Sequence, residues 1–113
     1  ENANILIMGL TFKENCPDHR NTRVIDLVKS FKDFNCNVDV YDPWVNKVQA
    51  ADEYNIKIID KPMKDKYDAI IIAVNHDEFK ALTGDQIRAF GKTNHVLYDI
   101  KYLLKANESD GRL

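Results

Sequence analysis

Two apolar runs constrain this chain more than anything else in it. Ile5-Leu-Ile-Met8 and Ala69-Ile-Ile-Ile-Ala-Val74 carry no charge and no polar alternation. A strand that is wet on one face alternates, whereas a continuous apolar run is the mark of a strand buried on both faces, inside a parallel sheet covered by helices. The second run is β-branched at its centre and is expected in the middle of the sheet, beside the first.

The segments between and after these runs switch period. Val24, Leu27, Val28, Phe31 and Phe34 recur at spacings of three and four, which predicts a helix with one buried stripe, capped at its start by Asn21 or Thr22 and ended by Asn35-Cys-Asn37. Val38-Asp-Val-Tyr41 is the second strand, broken by Asp42-Pro43, and Val45, Val48, Ala51 and Tyr54 mark a weaker second helix. Ile56-Lys-Ile-Ile59 reads as a short edge strand, and residues 61–66 as a charged linker. After the central strand, Asn75 or Asp77 caps a short helix through Leu82. A further helical piece runs from Asp85 to Phe90, and His95-Val-Leu-Tyr98 is the last strand.

Strands joined by helical crossovers give an α/β fold. The expected architecture is a Rossmann-like three-layer sandwich: a five-stranded parallel sheet in the order 3-2-1-4-5, with helices on both faces. At 113 residues with 44% hydrophobic content, the chain is one domain with a real core. That domain is expected over residues 1–105, with 106–113, rich in Asn, Ser, Asp and Gly, as a flexible C-terminal tail.

Composition removes several function classes. No apolar run approaches the roughly 20 residues of a membrane-spanning helix, and a net charge of −2 with interspersed signs offers no field for nucleic acid or an anionic membrane. Any anion site must come from a few convergent cations. The start, Glu-Asn-Ala-Asn, has neither a basic leader nor an initiator methionine and reads as cut from something longer. Cys16 and Cys36 have no metal-like spacing and suit reduced thiols in a cytoplasm, so no metal site is expected.

Chemistry concentrates in the loop after the first strand, Gly9-Leu-Thr-Phe-Lys-Glu-Asn-Cys-Pro-Asp-His-Arg-Asn-Thr22. It lies at a carboxyl end of the sheet, where open α/β folds bind ligands. Lys13 and Arg20 flank a strand-to-helix turn and can meet an anion with the help of backbone N–H groups; from position alone, ligand contact and simple solvation stand level. The loop holds no Gly-x-Gly-x-x-Gly, so this half-sheet is not expected to bind a dinucleotide through a glycine fingerprint. Cys16 has only His19 as a nearby base and is read as a small loop residue, so no catalytic residue is assigned. Asp18 reads as an internal brace of the loop, and Asp42 as a turn former rather than a ribose-binding acid. His76 is either a helix-start histidine bonded to backbone or a ligand. Trp44 is expected to bury one face against this domain or a neighbouring one.

The run Gly-Leu-Thr-Phe-Lys-Glu-Asn-x-x-Asp-x-Arg-Asn-Thr resembles the opening of the C-terminal, UDP-binding domain of nucleotide-sugar 6-dehydrogenases. Val-Tyr-Asp-Pro43, Ala-Val-Asn-His-Asp-Glu-Phe79 and Leu-Tyr-Asp-Ile-Lys101 follow in the expected order, so the resemblance extends from Asn4 to Lys101. It implies a UDP-sugar substrate contacted by Thr11, Phe12 and Lys13, with the lysine on the diphosphate. Lys101 stands where family members usually carry an arginine on the substrate phosphate, and it keeps the charge without the bidentate fork. The arginine matching Arg20 faces the pyrophosphate of the cofactor NAD across an interdomain cleft.

The same resemblance implies a cytoplasmic, homodimeric enzyme. Its N-terminal domain holds NAD and its central domain the nucleophilic cysteine, which leaves this piece to bind without catalysing. The wording of the first loop is most similar to bacterial members that oxidise UDP-N-acetylhexosamines for capsule or O-antigen polysaccharide. A flavodoxin- or receiver-like signalling domain, or a small-molecule sensor, shares the alternating pattern. A receiver, however, needs clustered acids where this chain has Thr11-Phe-Lys13.

Overall fold

β1 (Asn4–Met8) is the hub of the sheet, paired on one side with β2 (Asn37–Tyr41) and on the other with β4 (Tyr67–Ile72). The computed structural model describes residues 2–11, 22–46, 48, 51–52, 55–74, 76–100 and 109–112. β3 (Lys57–Ile59) extends the sheet beyond β2, and β5 (Gly91–Asp99) lies outside β4. Every pairing is parallel, and the expected order 3-2-1-4-5 is found, with one addition: Gly111–Arg112 forms a two-residue β6 along β5.

The helices divide between the two faces as the connections require. α1 (Thr22–Asp33) links β1 to β2, while α2 (Asp77–Lys80) and α3 (Gly84–Arg88) link β4 to β5 in the opposite direction across the sheet. Right-handed crossovers running in opposite directions must put their helices on opposite faces. Accordingly Ile5, Ile7, Val38, Val40 and Ile71 pack with Val24, Ile25 and Val28 of α1, and Leu6, Met8, Ile70, Ile72 and Leu97 pack with Phe79 and Ile87. The two apolar runs thus serve both layers, alternate residues going to alternate faces.

The end of α1 corrects one expectation. Asn35 takes a left-handed conformation (φ 61°), Asn35 N–H donates to Lys32 O at 2.9 Å, and Cys36 N–H donates to Phe31 O at 3.1 Å. These are the bonds of a Schellman ending, and they stop the helix at Asp33. Phe34 therefore falls past the buried stripe and is 72% exposed. α3 begins with a capping box, in which Thr83 Oγ1 accepts from Gln86 N–H at 3.1 Å and Gln86 Oε1 accepts from Thr83 N–H at 2.8 Å. Of the weaker helix expected after Trp44, Val48, Ala51 and Asp52 have helical backbone, while Tyr54 lies outside the described residues.

Candidate functional site

The register gathers the strand ends on one edge. Met8 pairs with both Tyr41 and Ile72, and Ile72 pairs with Asp99, so the residues that follow β1, β2 and β4 emerge side by side. β1 and β4 are also where the strand order reverses, which is where doubly wound sheets open a ligand crevice.

Gly9 starts the first turn with φ +107°, and a Cβ there would lie 2.6 Å from Val74 Cβ. Only glycine lets the chain leave β1 in this direction against the end of β4. Its N–H still pairs with Tyr41 O at 2.8 Å.

Asp42 then fastens the next two residues. Its Oδ2 accepts from Leu10 N–H at 2.7 Å and Thr11 N–H at 3.0 Å, and its Oδ1 accepts from Trp44 N–H at 2.7 Å and Val45 N–H at 3.2 Å. The second pair makes the turn that Asp-Pro predicted. The first pair reaches across from β2 to the start of the β1 loop, a role the sequence reading did not assign. Burial by itself would raise this carboxyl, but the hydrogen bonds from His76 and from the Leu10 and Thr11 N–H groups outweigh it and hold the group below its usual value.

His76 closes the network from β4. Its Nε2 lies 2.9 Å from Asp42 Oδ2 and 3.0 Å from Thr11 Oγ1, with His76, Asp42 and Thr11 all fully buried. A carboxylate can only accept, so Nε2 carries the ring proton and donates it. His76 occupies the N-cap position of α2 but makes no side-chain cap bond. This corrects the expectation that Asp77 caps the helix, because Asp77 is its first residue; Asn75, the other candidate, lies outside the described residues.

Beside this network stands Trp44, whose Nε1 donates to Glu78 Oε1 at 2.9 Å and whose ring centroid is 6.2 Å from that of His76. Phe79 meets the His76 ring edge-on at 5.4 Å.

Thr11, singled out from sequence, is placed at the centre of this edge, and Asp99, from the Leu-Tyr-Asp-Ile-Lys101 run, is buried at the end of β5. Phe12, Lys13, Cys16, Asp18, His19, Arg20 and Lys101 lie outside the described residues. A competing basic surface exists at the other end of the strands, a hollow of about 330 Å³ lined by Asn4, Lys32, Lys57 and Lys66 among others. Its lysines are already engaged. Lys66 and Lys57 pair with Asp39 at 3.0 and 3.4 Å, and Lys32 Nζ donates to Asn55 O at 2.7 Å. Among the described residues no group of three His, Cys, Asp or Glu side chains could hold a metal ion, and no helix is long and apolar enough to cross a membrane.

Residues 6–106 match the model of the UDP binding domain of the UDP-glucose/GDP-mannose dehydrogenase family, nearly the whole chain. The chain belongs to that family. This UDP binding domain is 51% identical over 113 residues to the UDP-N-acetyl-D-glucosamine 6-dehydrogenase of Salmonella typhi, and 52% identical over 113 residues to the enzyme of that name from Pseudomonas aeruginosa. It is 33% identical over 108 residues to protein CapL of Staphylococcus aureus, covering 96% of this chain and 25% of that protein. The first two matches take in all of this chain and 27% of each relative, so the domain spans about a quarter of the proteins it resembles. In fold it is similar to a UDP-D-ManNAc dehydrogenase from Pyrococcus horikoshii, with a TM-score of 0.73 at 24% identity over 98% of this chain and 25% of that one. Nothing in these likenesses supports a receiver, flavodoxin or sensor domain.

Proposed function

We propose that this domain is the UDP-sugar-binding lobe of an NAD-dependent 6-dehydrogenase that converts a UDP-N-acetylhexosamine to its uronate for polysaccharide biosynthesis. The observation that carries the reading is the identity of 51% and 52%, sustained along the whole chain, to two bacterial enzymes named for UDP-N-acetyl-D-glucosamine. In this proposal Thr11, Phe12, Lys13 and Lys101 bind the UDP moiety and Arg20 faces the NAD pyrophosphate. The buried Asp42–His76–Thr11 network supports it by giving the loop that carries Lys13 a fixed point of departure.

Oxidation of a primary alcohol to a carboxylate releases two hydrides, and NAD, held mainly by another domain of the same polypeptide, supplies their acceptor. The nucleophilic cysteine is likewise assigned outside this chain, the full enzyme to a cytoplasmic homodimer, and the 113-residue chain to binding alone.

The test is turnover of the full-length protein with NAD, followed as NADH absorbance. Two NADH per UDP-N-acetylglucosamine, and no activity from the 113-residue chain, is the expected result. Turnover confined to UDP-glucose would overturn the substrate assignment, and turnover by the chain alone would overturn the division of labour.

A further inference from the structure

Trp44 stands at the carboxyl edge of the sheet with its backbone N–H and its ring N–H both hydrogen-bonded. Its backbone N–H bonds one oxygen of the Asp42 carboxylate while Thr11 N–H bonds the other, so Trp44 and the start of the β1 loop share a single buried anchor. The ring is bonded in turn through Nε1 to Glu78, and the ring of His76, itself bonded to Thr11, lies 6.2 Å away, centroid to centroid. Trp44 is nonetheless 37% exposed. Phe34, the other strongly exposed aromatic among the described residues, lies past the end of α1, at the opposite edge of the sheet. A large apolar side chain that is tied through both its backbone N–H and its ring N–H, and is still more than a third exposed, can cover a flat partner at reduced entropic cost.

We propose that the exposed face of Trp44 stacks on the planar heterocycle of a bound nucleotide. The proposal rests on the nucleotide-binding reading above and adds a ring subsite to it. The shared chemistry is a flat nitrogen heterocycle carried on a ribose phosphate; both the uracil of a UDP-sugar and a ring of NAD have it. Base–aromatic stacking tolerates any base, because every base presents a π-face.

Trp44 is the single tryptophan of the chain, so its emission reports on this site alone. The experiment titrates the 113-residue chain with UDP, with NAD and with inorganic pyrophosphate, following Trp44 emission and, in parallel, binding by calorimetry. UDP or NAD is expected to quench the emission at the concentrations where it binds, and whichever does so identifies the ring; pyrophosphate, which has none, is expected to leave the emission unchanged. Trp44→Phe, which keeps a ring, should hold the dissociation constant of that nucleotide within a few-fold. Trp44→Ala should raise it about ten-fold or more.

The proposal is overturned if calorimetry detects nucleotide binding while the emission of the unmodified chain stays constant, a result that requires no variant to fold and leaves the nucleotide reading standing. Absence of any nucleotide binding by calorimetry would contradict the nucleotide reading itself, and the subsite with it.

Discussion

The imidazole of His76 donates its Nε2–H to Asp42 Oδ2 across 2.9 Å, with neither side chain exposed to water. This one bond ties the end of β4 to the end of β2, over the top of β1. Leu10 and Thr11, the first residues of the proposed UDP loop after Gly9, hang from the same carboxylate oxygen.

Asp42→Asn should therefore be far more damaging than its size suggests. Both oxygens of Asp42 accept, from five donors in all, and an amide replaces one acceptor with a donor aimed at N–H groups. Leaving buried donors unpaired sets the expected loss at about 3 kcal/mol, readable as a lower urea midpoint at unchanged slope. A loss under about 0.5 kcal/mol, the range of ordinary surface changes, would mean that the network contributes little.

Gly9→Ala should destabilise the chain by about 3 kcal/mol, combining a strained positive φ with a methyl driven into Val74. Because Gly9 also sets the direction of the loop, nucleotide affinity should fall in the same variant. Equilibrium unfolding and UDP titration check the two effects separately.

Much of the scaffold was legible in the sequence, because the uncharged runs Ile5–Met8 and Ala69–Val74 marked two-sided strands, the second of which ends at Ile72, and the switch to three-and-four spacing after Thr22 marked a helix. The strand order was placed from the doubly wound pattern, and the strand pairing shows it. The site was legible as a place but not as a network: Asp42 announced its turn through Pro43, yet nothing local shows that its other oxygen reaches residues 10 and 11. That contact is created by the β1–β2 register. His76 was missed as a network member for the same reason, since its partners are 34 and 65 positions away. Phe34 fits the stripe by spacing alone, and the left-handed Asn35 overrides the spacing.

Alkaline pH should expose a second buried pair. Tyr67 donates its hydroxyl to Asp39 Oδ2 at 2.7 Å, and burial, followed by the bond to that carboxylate and its charge, pushes the phenol well above its usual value. An unfolded chain releases this proton near pH ~10, so above that the unfolded state binds fewer protons than the folded one and stability falls as pH rises. Below pH 10 the contribution is fully present. Tyr67→Phe should flatten the fall in urea midpoint between pH 9 and pH 11; an equally steep fall in the variant would assign it to other groups.

In the proposed binding loop, Lys13→Ala should weaken UDP binding by about 1.5–3 kcal/mol, the worth of a charge-assisted phosphate bond, without changing the unfolding midpoint. Arg20→Ala in the full-length enzyme should raise KM for NAD more than KM for the UDP-sugar. Equal losses on both substrates would instead make Arg20 a brace of the loop.

The most direct measurement is a UDP titration of the isotopically labelled 113-residue chain, read as amide shift changes residue by residue. Weak saturable binding is expected, millimolar or somewhat tighter because one lobe supplies only part of the contacts, with the perturbations centred on Thr11 to Lys13 and on Tyr98 to Lys101. Perturbations centred instead on Lys32, Lys57 and Lys66, at the opposite end of the strands, would contradict it.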